Sequence, residues 1–562
     1  MAGSNSNGYG SAGFFIKTLY RRARIRVAGL RMVLIPGVSA PDGLVAAPTD
    51  LHAVDPFVAE ELLNGRIVLA GRVYELDGVS VFADELPSLA FAESLYSFEW
   101  LRHIRAHRTN ECCAKARQLV AEWMALHGRK ARGLAWEPDI AARRLIALLS
   151  HSPVVLNDAE SGFYRRFMKT LGFHVRYLGM IARFAPDGET RLRIHIALAV
   201  ASICMSGKQS WVSRQARKLS REMERQVLPD GGHVSRNPRV LLDLLLDLLP
   251  LRHSYINLGH TVPSGLVSAI DRIFPALRFF RHQDGDLGLF NGATSTLANE
   301  LAAVLRYDDT AGLTTRELPD MAYQRLVAGD TTVLIDTGRA LSVELSSTAH
   351  AGCLSFEMSA GRYRFIVNSG SPENGSAELK ELARSTAAHS TVTLADTSSC
   401  RFSRSAFLGP ILVQGAREVT VNRTTGPNRN DIVSATHDGY VADFGYLHER
   451  EVDMNEAGTR IRGRDIVSVA GKNNKHIPES LMAVARFHVH PIIELSLLNE
   501  ETVVLTAPDG TRWQFSVPGR ALAITDDIFM ANVSGLRRSQ QIEVAFDVPE
   551  VREIRWFLDR KA

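Results

Sequence analysis

The densest set of chemically capable side chains lies between His350 and His389. His350 opens the run His350-Ala351-Gly352-Cys353-Leu354-Ser355-Phe356-Glu357, a loop that leads into a strand. Asn368 follows in Phe365-Ile366-Val367-Asn368-Ser369-Gly370, a strand and turn, and His389 stands just before Ser390-Thr391-Val392. Two imidazoles and a carboxamide at strand edges can converge across neighbouring strands of one sheet. Two His and one oxygen donor would make a donor set for a divalent metal, zinc or calcium, although zinc prefers a carboxylate to an amide. The alternative is that these polar groups satisfy backbone donors and acceptors at the strand ends.

Two kinds of element must position such a constellation. From about Asp50 to Leu305 the apolar residues recur at helical spacing, with Phe91, Leu95, Phe98 and Leu101 on one stripe. Ile140–Leu149, Phe173–Phe184, Leu192–Met205 and Val240–Leu251 repeat the pattern, separated by turns such as Pro186-Asp187-Gly188 and Pro229-Asp230-Gly231-Gly232. Many helices of similar length joined by short turns predict an α/α array, solenoid or toroid. Near Pro319 the pattern changes to alternation. Leu341–Ser346, Leu354–Met358, Thr391–Leu394, Thr502–Leu505, Trp513–Val517 and Ile542–Phe546 read as strands, and their density predicts antiparallel sheets packed as a sandwich. The expected division is a flexible basic segment over 1–45, a helical domain over 46–315 and a β-sandwich over 321–562.

At 562 residues the chain is too long for one core. A formal net charge of +4 suits an anionic polymer and equally suits a mixed surface with a small imbalance. The five cysteines are odd in number and form no CxxC pair, which argues for reduced thiols rather than a disulfide framework or a zinc ribbon. Met1 to Gly13 is rich in Gly, Ser and Asn and reads as disordered. The run Tyr20-Arg21-Arg22-Ala23-Arg24-Ile25-Arg26 puts arginines where an export signal needs an apolar stretch. It could lie along an anionic membrane face or form a solvated helix face. No transmembrane run, phosphate-cradling loop, nucleophile elbow or nucleic-acid module is found.

The order of segments in the second half resembles the C-terminal domain of the heparinase II/III family of polysaccharide lyases. The resemblance rests on the His350 loop and its Leu354-Ser355-Phe356-Glu357 strand, the Val367-Asn368-Ser369-Gly370 turn, and Arg384-Ser385-Thr386-Ala387-Ala388-His389-Ser390-Thr391. Thr436–Tyr440, Phe444–Arg450 and Arg486–Pro491 extend it, as do Ser97–Arg102 and Gln226–Gly232 in the helical half. It implies a multidomain α+β fold: an N-terminal α/α toroid, an incomplete barrel of helices, followed by an antiparallel β-sandwich. It implies β-elimination on an acidic, uronate-containing polysaccharide lying between the two domains, and work in the cell envelope. With no standard export signal, a cytoplasmic location is the alternative.

That reaction needs a cation or donor on the C6 carboxylate, a base for the C5 proton and an acid for the leaving oxygen. By resemblance, the metal ligands of metal-bearing relatives fall on His350, Asn368 and His389. The chain departs from the family at several such places. Thr348 and Gly352 replace a His and an Asp of the usual His-x-His-x-Asp loop, and Val240 stands where a catalytic Tyr is expected. Ile194-His195 is the nearest match to the family's Asn-His. Compensating roles then fall on Arg236, Asn237 and Arg239 for the carboxylate, His233 as base and Tyr440 as acid, with His350 a further catalytic candidate and Arg239 and Arg384 binding substrate. The other reading of these departures is a catalytically degenerate glycan-binding or scaffold protein on the same fold.

Overall fold

The computed structural model describes residues 11–34, 40–310, 312, 314–471 and 480–561. The disorder expected for Met1 to Gly13 falls mostly outside them. The chain divides into two compact units. The first comprises residues 1–227, 243–271 and 302–308, and the second residues 228–242, 272–301 and 309–562. The sequence boundary near 315 therefore gives way to an interleaved division. The cause is local: the Pro229-Asp230-Gly231-Gly232 turn is bound into the second unit, where the Asp230 carboxylate accepts from the backbone N–H groups of Asp320 and Met321 at 2.8 Å. Gly231 is needed there, because its φ is +84° and a Cβ would lie 1.8 Å from the Arg272 carbonyl oxygen.

In the first unit the helices pack on one another, as an α/α toroid requires. Helix Pro138–Ser150 packs on Glu189–Cys204, which packs on Gln209–Gln226. The apolar stripe read through Phe98 is broken: the helices are Leu89–Ser97 and Leu101–His107, with Phe98 in the left-handed region at φ 60°. The segment expected to be flexible contains a 24-residue helix, Ser11–Leu34, that rests on Ser161–Ile181.

The second unit holds an eight-stranded and a nine-stranded sheet with antiparallel pairing throughout. They share one apolar core, in which Phe356 of the larger sheet stacks on Trp556 of the smaller at 5.2 Å and 6°. Strand Arg460–Val469 approaches that indole so closely that a Cβ on Gly463 would lie 1.9 Å from the ring. One expected strand is absent. Leu341–Ser346 overlaps a 3-10 turn, Val343–Thr348, because Ser346 is bound at both ends of its residue. Its hydroxyl accepts from Leu412 N–H at 2.9 Å and its carbonyl accepts from Arg384 at 2.7 Å. Tertiary hydrogen bonds override the local alternation.

Candidate functional site

All the candidate residues belong to the second unit. His350 and His389 meet, with His350 Nδ1 and His389 Nε2 3.2 Å apart. The proton positions follow from the partners. His389 Nδ1–H donates to the Ser385 carbonyl at 2.7 Å, so its Nε2 carries a lone pair and His350 Nδ1–H donates to it. His350 Nε2 is then left as an acceptor. Burial, then the neighbouring His389 and Arg384, push the His350 pKa well below the usual imidazole range. Burial pushes His389 down to about 4. Both rings are neutral at pH 7.

Arg384 positions this pair rather than a substrate. Its Nε–H donates to the Ala349 carbonyl at 2.8 Å, and its guanidinium lies 4.2 Å over the Phe402 ring. With the bond to Ser346 this clamps the loop that carries His350.

Arg236, Asn237, His233 and Arg239 are all turned into the fold. Arg236 is ion-paired with Asp336, donates from Nε–H to the Met321 carbonyl at 2.8 Å and lies 4.9 Å over the Tyr323 ring. Burial opposes its charge, and Asp336 and Tyr323 outweigh burial, so its pKa is held above the ordinary value. It is therefore not presented for a substrate carboxylate. Asn237 Oδ1 accepts from Arg239 N–H at 2.9 Å, which starts helix Pro238–Asn257. Arg239 donates to the Ser295 carbonyl at 2.9 Å and to Glu300 at 2.8 Å. His233 is fully buried; its Nδ1 accepts from Ser235 N–H at 3.2 Å, and burial lowers its pKa to about 3. At neutral pH its ring is uncharged and only weakly basic.

Tyr440 does not reach a groove. It is 0% exposed within the sandwich core, and its hydroxyl donates to the Val392 carbonyl at 2.6 Å. Burial raises its pKa, so the phenol keeps its proton, and that proton is already given to the Val392 carbonyl.

The metal set fails on its third member. The nitrogens of His350 and His389 are spaced about as two zinc ligands would be. Asn368, however, is fully committed: Oδ1 accepts from Ser390 N–H at 3.0 Å and Nδ2–H donates to the Leu289 carbonyl at 3.2 Å. No group of three His, Cys, Asp or Glu residues suited to a metal occurs among the described residues. A Cβ at Gly352 would lie 2.6 Å from His389 Cδ2, so no carboxylate fits beside the pair. The residues present do not fit a zinc or calcium centre.

What the fold does bring together is a small pocket bordered by Arg236, Asn291, Asp336, His350, Cys353 and Cys400. Asn291 is its hub. Its Nδ2–H₂ donates to Asp336 at 3.0 Å and to Tyr323 at 2.8 Å, and its Oδ1 accepts from His350 N–H at 3.4 Å. The Tyr323 hydroxyl donates in turn to the Arg236 carbonyl at 2.8 Å. Sequence reasoning missed Asn291, Tyr323 and Asp336. The signals were Asn291-Gly292, a turn pair with Asn291 at φ 49°, and Asp336 closing strand Thr331–Asp336 before Gly338.

Comparison with known proteins agrees with this architecture. The family model "Heparinase II/III-like, C-terminal" matches residues 310–557. FtsZ-localized protein C of Caulobacter vibrioides is 31% identical over 537 residues, covering 92% of this chain and 91% of that protein. A crystal structure of heparinase III superposes with a TM-score of 0.69 at 13% identity, covering 99% of this chain and 92% of that one. A mutant of the heparan sulfate lyase HepC from Pedobacter heparinus gives 0.61 at 14% identity, covering 97% and 90%.

Proposed function

The chain belongs to the heparinase II/III family, and from that premise we propose that it is a non-catalytic scaffold on a lyase fold, acting where FtsZ acts. The observation that carries this reading is the inward commitment of the groups elimination would need. Tyr440 is sealed in the sandwich core, His233 is buried and non-basic, and Arg236 is neutralised by Asp336. Any acidic glycan it meets is held without bond cleavage. The name of the Caulobacter relative supplies the FtsZ association, at an identity well above that to the lyases. Five unpaired, buried cysteines suit a reducing compartment and so favour the cytoplasmic alternative over the envelope.

The second reading, an active uronate lyase, is favoured by one feature: His350, beside the pocket, keeps an acceptor nitrogen. One assay separates the two. Folded protein is incubated with a panel of uronate polymers while the ultraviolet absorbance of the unsaturated product is followed. Absorbance that grows in wild type and is lost in His350→Ala overturns the scaffold reading. Flat traces across the panel, together with mid-cell, FtsZ-dependent localisation of a fluorescent fusion, support it.

A further inference from the structure

The eight-stranded sheet ends on strand Val419–Thr425, which pairs with Asp431–His437 on one side and, among the described residues, with no strand on the other. An unpaired sheet edge is a template for another strand, so edges are ordinarily blunted by shortness, bulges or charge. Three edges of the two sheets follow that rule. Glu317–Leu318 is two residues long, Glu494–Asn499 has a register shift between Leu497 and Asn499, and Ala523–Phe529 carries Asp526 and Asp527. Val419–Thr425 is different: it spans seven residues, pairs without a register shift, and five of the seven are β-branched. Its single charged side chain does not guard it. Arg423 folds toward the larger sheet, where its Nε–H donates to Asp431 at 2.9 Å and its guanidinium donates to the carbonyls of Arg316 and Arg325 at 2.6 and 2.9 Å.

Alternation along the strand decides which backbone groups face outward. The Glu418 carbonyl accepts from Asp438 N–H at 3.3 Å, and Gly426 N–H donates to the Asn430 carbonyl at 2.9 Å. The even-numbered residues between them therefore bond toward Asp431–His437, and Val419, Val421, Arg423 and Thr425 turn their N–H and C=O groups outward. The edge is open. No residue of the strand is buried, and Val421, on the same face as Arg423, is 42% exposed.

The strand's own sequence fits this edge. Two copies placed antiparallel about Asn422 set Val419 against the partner's Thr425, Val421 against the partner's Arg423 and Thr420 against the partner's Thr424. No like charges stand opposite one another, the Thr pair can hydrogen-bond, and so can the two Asn422 amides. The outward groups supply about eight backbone hydrogen bonds in this register. A slide of two residues one way sets Arg423 against the partner's Arg423, and a slide the other way shortens the overlap. At the strand ends Arg417 and Glu418 approach the partner's turn at Arg429, whose charge is paired with Glu456 at 3.3 Å.

We propose that Val419–Thr425 is the interface of a weak homodimer, in which two copies pair antiparallel about Asn422 and their eight-stranded sheets become one continuous sheet. Pairing through one strand buries less than the ~1,200 Å² of a stable interface, so association falls in the micromolar range. The dimer is independent of the scaffold reading: a scaffold gains two-fold valency from it, and a lyase could form it equally. The test is sedimentation equilibrium of the full chain from low to high micromolar concentration, where wild type is expected to rise from monomer toward dimer mass. Val421→Pro removes an outward N–H and keeps the bonds to Asp431–His437, and Asn422→Lys sets cation against cation at the two-fold axis. Each should weaken association at least about tenfold while the melting temperature is kept. The native cysteines are all buried, so an introduced surface thiol reports the register. Asn422→Cys should cross-link to a dimer under oxidised glutathione, whereas Thr424→Cys, roughly 14 Å from its copy, should not. Wild type that stays monomeric throughout, both edge variants dimerising like wild type, or cross-linking through Thr424→Cys in preference to Asn422→Cys overturns the proposal.

Discussion

Replacing Asp336 by Asn tests whether the arginine turn after Gly232 is architecture or binding surface. The two side chains are 9% and 3% exposed for Arg236 and Asp336, and the carboxylate also accepts from Gly338 N–H at 2.9 Å and Asn291 at 3.0 Å. Asn at this position removes the negative charge and turns amide hydrogens toward existing donors, so a buried guanidinium is left unpaired. Breaking one side of a buried ion pair costs about 3–5 kcal/mol. The second unit has roughly 300 residues, for which the unfolding entropy is about 0.6 kcal/mol/K. The transition of that unit should therefore fall by about 5–8 °C in scanning calorimetry. Arg236→Met should be destabilising too, and the double variant should cost less than the sum of the singles by about 1–3 kcal/mol. A melting temperature within about 1 °C of wild type, or strictly additive losses, would refute the reasoning and leave Arg236 available to an anionic ligand.

Two further outcomes depend on pH. Asp465 is buried against burial's own preference: Arg450 at 2.7 Å, His448 at 2.9 Å and Trp556 at 2.9 Å all donate to it. Burial raises its pKa, and Arg450 with His448 more than offsets this and holds it well below the usual carboxylate range. Its contribution is present above the unfolded pKa, near 4, and is lost as pH falls below that. Asp465→Asn should therefore lower stability at pH 7 and flatten the acid limb of melting temperature against pH; an unchanged limb counts against the assignment. His389, depressed to about 4, also contributes stability above its unfolded pKa of about 6.5 that is lost as pH falls from there through about 4. His389→Gln should reduce that slope, and proton NMR titration of wild type should show no His389 transition above pH about 5.

The fold was legible because its signals are periodic. Helical spacing through Ile140–Leu149 and alternation through Trp513–Val517 report burial on one face, and burial is what the two units supply. Leu341–Ser346 misled because its alternation was accidental: Arg384 and Leu412 bind Ser346 from elsewhere in the chain. The site was legible only in part. His350 and His389 do meet, as strand-edge residues of one family segment would. Tyr440 and His233 look reactive in sequence, but residue type says nothing about whether a hydroxyl or a ring nitrogen is spent on a neighbouring backbone group. Asp336 and Asn291 escaped notice because their partners lie 100 and 59 residues away, at Arg236 and His350.

The same backbone commitments explain why restoring single residues should not restore a metal centre. Asn368 differs from an aspartate by one group, yet Asn368→Asp would replace the Nδ2–H₂ that donates to the Leu289 carbonyl with a second acceptor at 3.2 Å. Two oxygens would then face each other in a site that is 0% exposed, one of them charged. The buried mismatch should cost about 1–3 kcal/mol, or roughly 2–5 °C for a unit of this size. Zinc can reverse that loss only if the new carboxylate turns toward His350 and His389, and His389 already fills the space beside Gly352. Melting curves of Asn368→Asp with and without zinc should coincide, both below wild type. A zinc-dependent rise above the apo variant would refute this account, because it would mean that the imidazole pair still reaches a third ligand.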